Sequence, residues 1–352
     1  MKGSIFSTIF LSVLFSRAKA SPLAVLLIIS LLPLLFELIF PGHGICERLR
    51  PILIFAILGL GLNIVTGNCG LLNLGVAGFM AIGAYTFGIL TVPIFPFQIN
   101  AWLGLLASLI AGAAAGFVLG LPTLRLRGDY LAVVTLGFGE IIQDVIRNLD
   151  TITKGSQGLN PLPALSILGV ELNNSHPSLS YFSLLIIIFI IVLLLRNLNK
   201  SPVGRAWSAV RDDELAAGNM GVPVMRTKLY AFTSGAALSS LAGALWASAL
   251  GSTGEPGNFD FQLSVTALCI VIVGGLGNLA GVLLGAAVIV GFNSVFLVEL
   301  SQFLNSAGLS GTQNVLATPA NWKFLVLGLV LILMMRLAPR GLIPALKGSS
   351  SK

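Results

Sequence analysis

A chain of 352 residues with 56% hydrophobic and only 9% charged side chains cannot clothe a soluble domain, whose composition ordinarily includes roughly 25% charged residues. Its mean hydropathy of +0.96, set against about 20 apolar residues per crossing, points to an all-α polytopic membrane protein folded as one helical bundle. The formal net charge of +7 does not signal a nucleic acid, because the basic residues fall in short clusters between apolar runs, where membrane orientation accounts for them.

At the N-terminus, Lys2, the apolar stretch Ile5 to Phe15 and Ala18-Lys19-Ala20 superficially match a cleavable signal. The spacing argues for something else. Ile5, Phe6, Ile9, Phe10, Val13 and Leu14 recur at helical intervals, with Ser4, Ser7, Thr8 and Ser12 on the other side, so residues 1–21 read as an amphipathic helix on the membrane surface. Arg17 and Lys19 would hold it on the cytoplasmic side.

Hydrocarbon cannot satisfy bare backbone groups, so each later apolar stretch reads as a helix. The expected spans are Pro22 to Phe40, Pro51 to Thr66, Gly70 to Leu90, Trp102 to Leu121, Tyr130 to Asn148, Leu179 to Leu195, Leu229 to Leu250, Gln262 to Gly275, Leu279 to Val298 and Trp322 to Leu337. That is about ten transmembrane helices within a membrane domain of residues 22–340, followed by a cytoplasmic tail, residues 341–352. Lys and Arg content alternates between successive loops as the positive-inside rule requires if both termini are cytoplasmic. The exceptions are Arg48, Arg50, Arg147 and Lys154.

The second and third spans place Asn63, Asn68 and Asn73 around a Gly67 to Gly70 break, which could leave backbone groups facing a substrate path. Interhelical hydrogen bonding is the competing explanation for each Asn. Glycines crowd the third and fourth spans, where they let helices approach closely. In the fifth span Glu140 and Asp144 share a helix face with Gln143 beside them. A carboxylate at membrane depth is costly and ordinarily faces a cavity or a partner. Asp144 reads as interfacial and paired with Arg147; Glu140 with Gln143 joins the candidate path.

The segment 197–228 carries the clearest organisation. Ser201-Pro202 is an N-cap with a first-turn proline; Asp212 can cap a second helix, with Asp213 and Glu214 in its first turn, and Gly221 can end it. Two capped helices exceed what a connector needs, and Trp207, Val210, Ala217 and Met220 are available for contact, so the loop reads as a cytoplasmic docking surface. Gly274-Gly275-Leu276-Gly277-Asn278 reads as a turn or broken helix. The chain has no GxxxxGK[ST] sequence and so does not hydrolyse ATP itself. Cys46, Cys69 and Cys269 form no metal pattern, His43 and His176 lie in loops, and no nucleophile and base suggest catalysis.

The stretches Leu62 to Tyr85, Leu124 to Gly158, Gly204 to Gly221, Thr227 to Ala247 and Val273 to Gly285 (VGGLGNLAGVLLG) resemble the M-type (LivM-like) permease subunits of branched-chain amino acid ABC importers. The resemblance implies a sister permease of the H type, two cytoplasmic ATPases that hold the ATP and Mg²⁺, and a periplasmic amino-acid-binding protein, in the bacterial inner membrane. It also implies that Arg205, Trp207, Arg211, Asp213, Glu214, Ala216, Ala217 and Gly221 belong to the ATPase-coupling loop. The importer pattern EAA with a later Gly appears as Leu215-Ala216-Ala217 and Gly221, its acidic residue displaced to Glu214. Urea or short-amide permeases of the same superfamily, and a gradient-driven secondary transporter, are the rival functions.

Overall fold

The computed structural model describes residues 45–96, 98–123, 129–167, 170–172, 177–299, 322–338 and 341–343, with Pro22, Val25 and Leu26. The N-terminal segment 1–21, nearly all of the expected first span and the tail beyond residue 343 therefore lie outside the described residues. Each of the other nine expected spans is met by a helix, although several boundaries move.

Helix α1, Ile45–Leu62, continues into a π-helical turn, Asn63–Asn68. It starts ahead of Pro51 with a charged first turn whose charges are paired: Glu47 lies 3.5 Å from Arg50, and Arg48 pairs with the distant Glu299. Helices α2 (Val76–Thr91), α3 (Ala101–Thr123) and α4 (Asp129–Asn148) follow. A segment with a short antiparallel hairpin, Ser166–Ile167 against Val170–Glu171, leads to α5, Pro177–Lys200. Two short helices, α6 (Pro202–Asp212) and α7 (Glu214–Asn219), precede α8, Val224–Leu250. The chain ends in α9 (Phe261–Gly274), α10 (Leu279–Gly291, extended by a π turn at Phe292–Phe296) and α11 (Lys323–Leu337). By length and apolar content five segments qualify to cross a membrane: Cys46–Asn68, Ala101–Thr123, Pro177–Lys200, Pro256–Gly274 and Leu279–Glu299. The protein is a multi-pass helical membrane protein.

Close backbone approach builds the bundle. On α3, Gly104, Ser108, Gly112, Gly116 and Gly120 recur every four residues and are buried, while Leu103, Leu106, Ile110, Phe117 and Val118 are exposed. The small residues form a seam against α8 and α2, and the large apolar ones suit lipid. A Cβ at Gly112 would lie 2.2 Å from Ser240 Cβ, and Ser240 Oγ donates to Ser108 O at 2.6 Å. Across the other side of α8, a Cβ at Gly83 would stand 1.8 Å from Ser240 O and one at Gly243 1.9 Å from Met80 O. Glycine is thus required at both positions.

The third expected span is corrected at its start. Gly70 adopts φ +76°, a left-handed conformation, and residues 71–75 have no regular structure, so α2 begins at Val76 rather than Gly70. The Gly274 to Asn278 cluster is a turn: Gly275 and Gly277 have φ of +117° and +82°, and Asn278 Oδ1 caps α10 by accepting from Ala280 N at 3.0 Å.

Contacts between helix ends define two ends of the bundle. At one, Asn68, Asn199 and the α6–α7 loop meet. At the other, Leu162 N donates to Gly251 O at 2.8 Å and Trp102 Nε1 to Ser166 O at 2.8 Å, closing the 149–172 segment over the ends of α3 and α8. Three of the four basic residues that broke the charge alternation fall at this second end and carry acidic partners: Arg48 with Glu299, Arg50 with Glu47, and Arg147 with Asp144 at 3.7 Å.

Candidate functional site

The α6–α7 loop is built from its caps. Ser201 Oγ accepts from Gly204 N at 3.4 Å, with Pro202 in the first turn, starting α6. Gly204, Trp207 and Val210 recur every three residues and are the buried face. Trp207 is 1% exposed and its Nε1 donates to Thr227 O at 3.0 Å, clamping α6 to the first turn of α8. Its indole is therefore internal to the loop rather than offered to a partner. Ala217 is buried likewise. The cap of α7 is Asp213, one residue later than expected: its Oδ1 accepts from Leu215 N at 2.9 Å and Ala216 N at 3.0 Å, while Asp212 stays exposed. Val222 N to Ala217 O at 3.0 Å and the φ of +89° at Gly221 close the second helix.

This construction gives the loop an inner and an outer side. Inward, Glu214 Oε2 meets Lys228 Nζ at 2.7 Å, and Arg211 Nη1 donates to Gly67 O at 2.7 Å. Outward stand Arg205, Asp213, Ala216 and Gly221, together with Leu215 and Met220 at 66% and 86% exposure. Two large apolar side chains thus stand exposed beside charged neighbours.

Beneath the loop lies the helix break. Asn63 Oδ1 accepts from Gly277 N at 2.8 Å, and Asn68 Nδ2 donates to Asn199 Oδ1 at 2.9 Å. Gly67 sits between them; a Cβ there would be 2.1 Å from Asn63 Oδ1 and 2.5 Å from Gly277 N. The irregular residues beyond are not left bare. Leu74 N donates to Thr135 Oγ1, Gly75 N to Asn73 Oδ1 and Ala77 N to Ser264 Oγ, each at 3.0 Å. Asn63 and Asn68 thus make the inter-element bonds that competed with a path role, whereas the bond of Asn73 is local, to the backbone two residues on. Asn63 Nδ2 and Thr66 Oγ1 are nevertheless buried with no hydrogen-bond partner among the described residues. Sequence reasoning missed Thr135, Ser264, Asn199 and Lys228, since a single hydroxyl, amide or cation whose partner is distant in the chain carries no pattern of its own.

The α4 residues separate. Gln143 turns inward, its Nε2 donating to Pro256 O at 3.1 Å, instead of standing beside Glu140. Glu140 and Asp144 share the exposed face with Tyr130, Val133 and Ile141. Glu140 has no ion pair or hydrogen bond among the described residues. It follows Gly139, which packs against Gly75 and Gly78 at the start of α2, so its level is that of the break.

A cavity of about 660 Å³ opens nearer the second end, between Phe55, Trp246, Leu263, Val288 and Leu327, with Asn258 and Asn293 among its polar lining. Its size suits a small ligand. Among the described residues no cluster of His, Cys, Asp or Glu could hold a metal.

Residues 45–335 match the family described as branched-chain amino acid transport system / permease component. The chain belongs to this family. The family's relatives include the high-affinity branched-chain amino acid transport system permease protein LivM of Salmonella typhimurium, 37% identical over 313 residues, covering 83% of this chain and 68% of that protein. The LivM of Escherichia coli strain K12 matches equally, 37% over 313 residues. More distant is the autoinducer 2 import system permease protein LsrC of Yersinia pestis, 27% identical over 290 residues, 80% of this chain and 72% of that protein. No solved structure matches. The family match begins with α1 and ends within α11, so it takes in the loop, the break and the α4 face together.

Proposed function

We propose that this chain is a permease subunit of an ATP-binding-cassette importer for leucine, isoleucine and valine, working by alternating access. The observation that carries the reading is family membership joined to a doubly capped loop whose outer side is an apolar and charged contact patch. In this proposal residues 1–21 lie on the cytoplasmic membrane surface, residues 22–340 make about ten spans in the bacterial inner membrane, and the 341–352 tail and loop 197–228 are cytoplasmic. Two partner ATPases hold ATP and Mg²⁺ and grip the loop through Arg205, Asp213, Ala216 and Gly221 with Leu215 and Met220. Trp207, Ala217, Arg211 and Glu214 keep that surface rigid from within. A periplasmic binding protein delivers the amino acid.

Two features support a shared path between this chain and a sister permease. Glu140 stands about 16 Å along α4 from Asp129, at 1.5 Å per residue, and is exposed. If α4 crosses the membrane as proposed, a carboxylate midway along it faces a cavity or a partner rather than acyl chains, so a second permease covers this face and Glu140 lines the seam. Asn63, with Thr66, supplies buried polar atoms still free to bond beside the break, in a π turn, a geometry frequent at functional sites. Asn68, Asn73 and Gln143 hold that wall in shape.

Reconstitution of the chain with the sister permease, both ATPases and the binding protein in vesicles tests the reading. ATP-dependent leucine uptake is expected; uptake of urea without leucine removes the substrate assignment, and gradient-driven uptake by the chain alone removes the importer.

A further inference from the structure

The inner side of the loop carries an inference that rests on the importer reading and deepens it. Arg211 lies in the last turn of α6, and its guanidinium ends on the carbonyl of Gly67, in the π turn that closes α1. Carbonyls at a helix C-terminus lack an intrahelical donor and sit at the negative end of its dipole, so a cationic donor is bound there more tightly than a neutral one would be. The contact is also close along the side chain's stem: a Cβ at Gly70 would stand 2.8 Å from Arg211 Cγ. Gly67 in turn has no room to slip, being wedged against Asn63 and Gly277 N, and Asn63 is bonded to Gly277. Three contacts in series therefore join α6 to the π turn and the π turn to the α9–α10 turn.

We propose that Arg211 is the positioning residue that converts movement of the coupling loop into movement of the broken end of α1, and through Asn63 of the α9–α10 turn. The residue acts on backbone, not on the ATPase or the substrate. Hydrogen bonding by a rigid, always-charged fork makes it a strut that pulls as well as pushes. The π turn is the part of α1 able to yield, because its bonds reach five residues ahead, as in Cys69 N to Ile64 O at 3.2 Å, and the next residues leave the helix at Gly70.

Cys69, buried directly beyond the turn, provides a native reporter once Cys46→Ser and Cys269→Ser remove the other two thiols. In the complete reconstituted importer, the maleimide labelling rate at Cys69 is measured with and without a non-hydrolysable ATP analogue, alongside leucine moved per ATP hydrolysed. Without Arg211 substitutions, the rate is expected to change several-fold with nucleotide. Arg211→Gln is expected to abolish that change and to lower leucine per ATP about tenfold, the scale of one lost charge-assisted hydrogen bond. Arg211→Lys, which can still donate once, is expected to retain most of both. A labelling rate indifferent to nucleotide when Arg211 is intact overturns the proposal whatever the variants do, and so does an Arg211→Gln importer with unaltered labelling response and stoichiometry. Failure of the importer reading is separable, since it shows as absent leucine uptake with the native Arg211 in place.

Discussion

The pair between Lys228 and Glu214 should break unevenly. Their charged atoms are 2.7 Å apart, but the lysine side chain is 5% exposed and the glutamate 38%. Whichever partner is removed, the cost is set by the environment of the survivor. Glu214→Gln leaves an ammonium in a site that water hardly reaches, and breaking a pair that way costs about 3–5 kcal/mol. The glutamine oxygen can still accept one bond, which places the change near about 3 kcal/mol. Lys228→Met leaves a carboxylate that hydrates at the loop surface, where losing a partner costs about 0–1 kcal/mol. At roughly 2 °C per kcal/mol for a chain of this size, the expected melting shifts are about 6 °C for Glu214→Gln and at most about 2 °C for Lys228→Met. Loss of the monodisperse size-exclusion peak of detergent-solubilised protein after stepwise heating measures both. The double variant, with no ion left, should melt near Lys228→Met. Equal shifts, or a larger one for Lys228→Met, would refute the idea that unequal hydration decides the cost.

Other substitutions separate packing from polar sealing and from partnership. Gly83→Ala places a methyl 1.8 Å from Ser240 O and should cost about 1–3 kcal/mol through forced helix separation, whereas Gly328→Ala, with nothing within 4 Å, should melt as the parent does. Thr135→Val removes the acceptor for Leu74 N without changing volume and should cost about 1–3 kcal/mol in the same heating assay; Thr135→Ser should restore it. Glu140→Lys should leave the chain monodisperse but abolish co-purification of the sister permease, and retained co-purification would show that this face is not the seam.

The sequence was legible where physics leaves a periodic or compositional mark. Apolar runs located nine helices, five of them within segments long and apolar enough to cross a membrane, and Ser201-Pro202 located the start of α6, because both depend on neighbours in the chain. Leu71-Leu72-Asn73-Leu74 misled for the opposite reason: it is as apolar as a helix, yet non-helical, and the hydroxyl of Thr135, on a distant helix, serves its backbone. The spacing of Gly204, Trp207 and Val210 did contain the inward orientation of the indole, but only if read as a buried face rather than a docking one. Arg48, Arg50 and Arg147 looked like errors of topology because the charge rule counts residues singly, and Glu299, which neutralises Arg48, lies 251 positions away. Gln143 and Glu140, three residues apart, could not be separated without knowing that the Pro256 carbonyl waits on one side of α4.

The distribution of close contacts also says where this bundle can move. Helices α2, α3 and α8 meet through glycines whose replacement atoms would overlap backbone or side chains at 1.8–2.5 Å, and interfaces packed so closely behave as rigid bodies rather than deformable ones. The end of α1 is different: its ladder changes to π spacing, its next residues leave the helix at Gly70, and three single hydrogen bonds fix it, from Asn68 to Asn199 of α5, from Arg211 of α6 to Gly67 O, and from the backbone N of Gly277 in the α9–α10 turn to Asn63 Oδ1. Each of those fixings is one hydrogen bond, worth about 0.5–3 kcal/mol, so rearranging them demands far less than parting α8 from α2. A push on the coupling loop would reach the tight core through Trp207 and the soft end of α1 through Arg211, and only the second can answer by changing shape. Under the proposed mechanism that inequality, rather than any feature of the loop alone, makes the broken end of α1 the part of the bundle that yields.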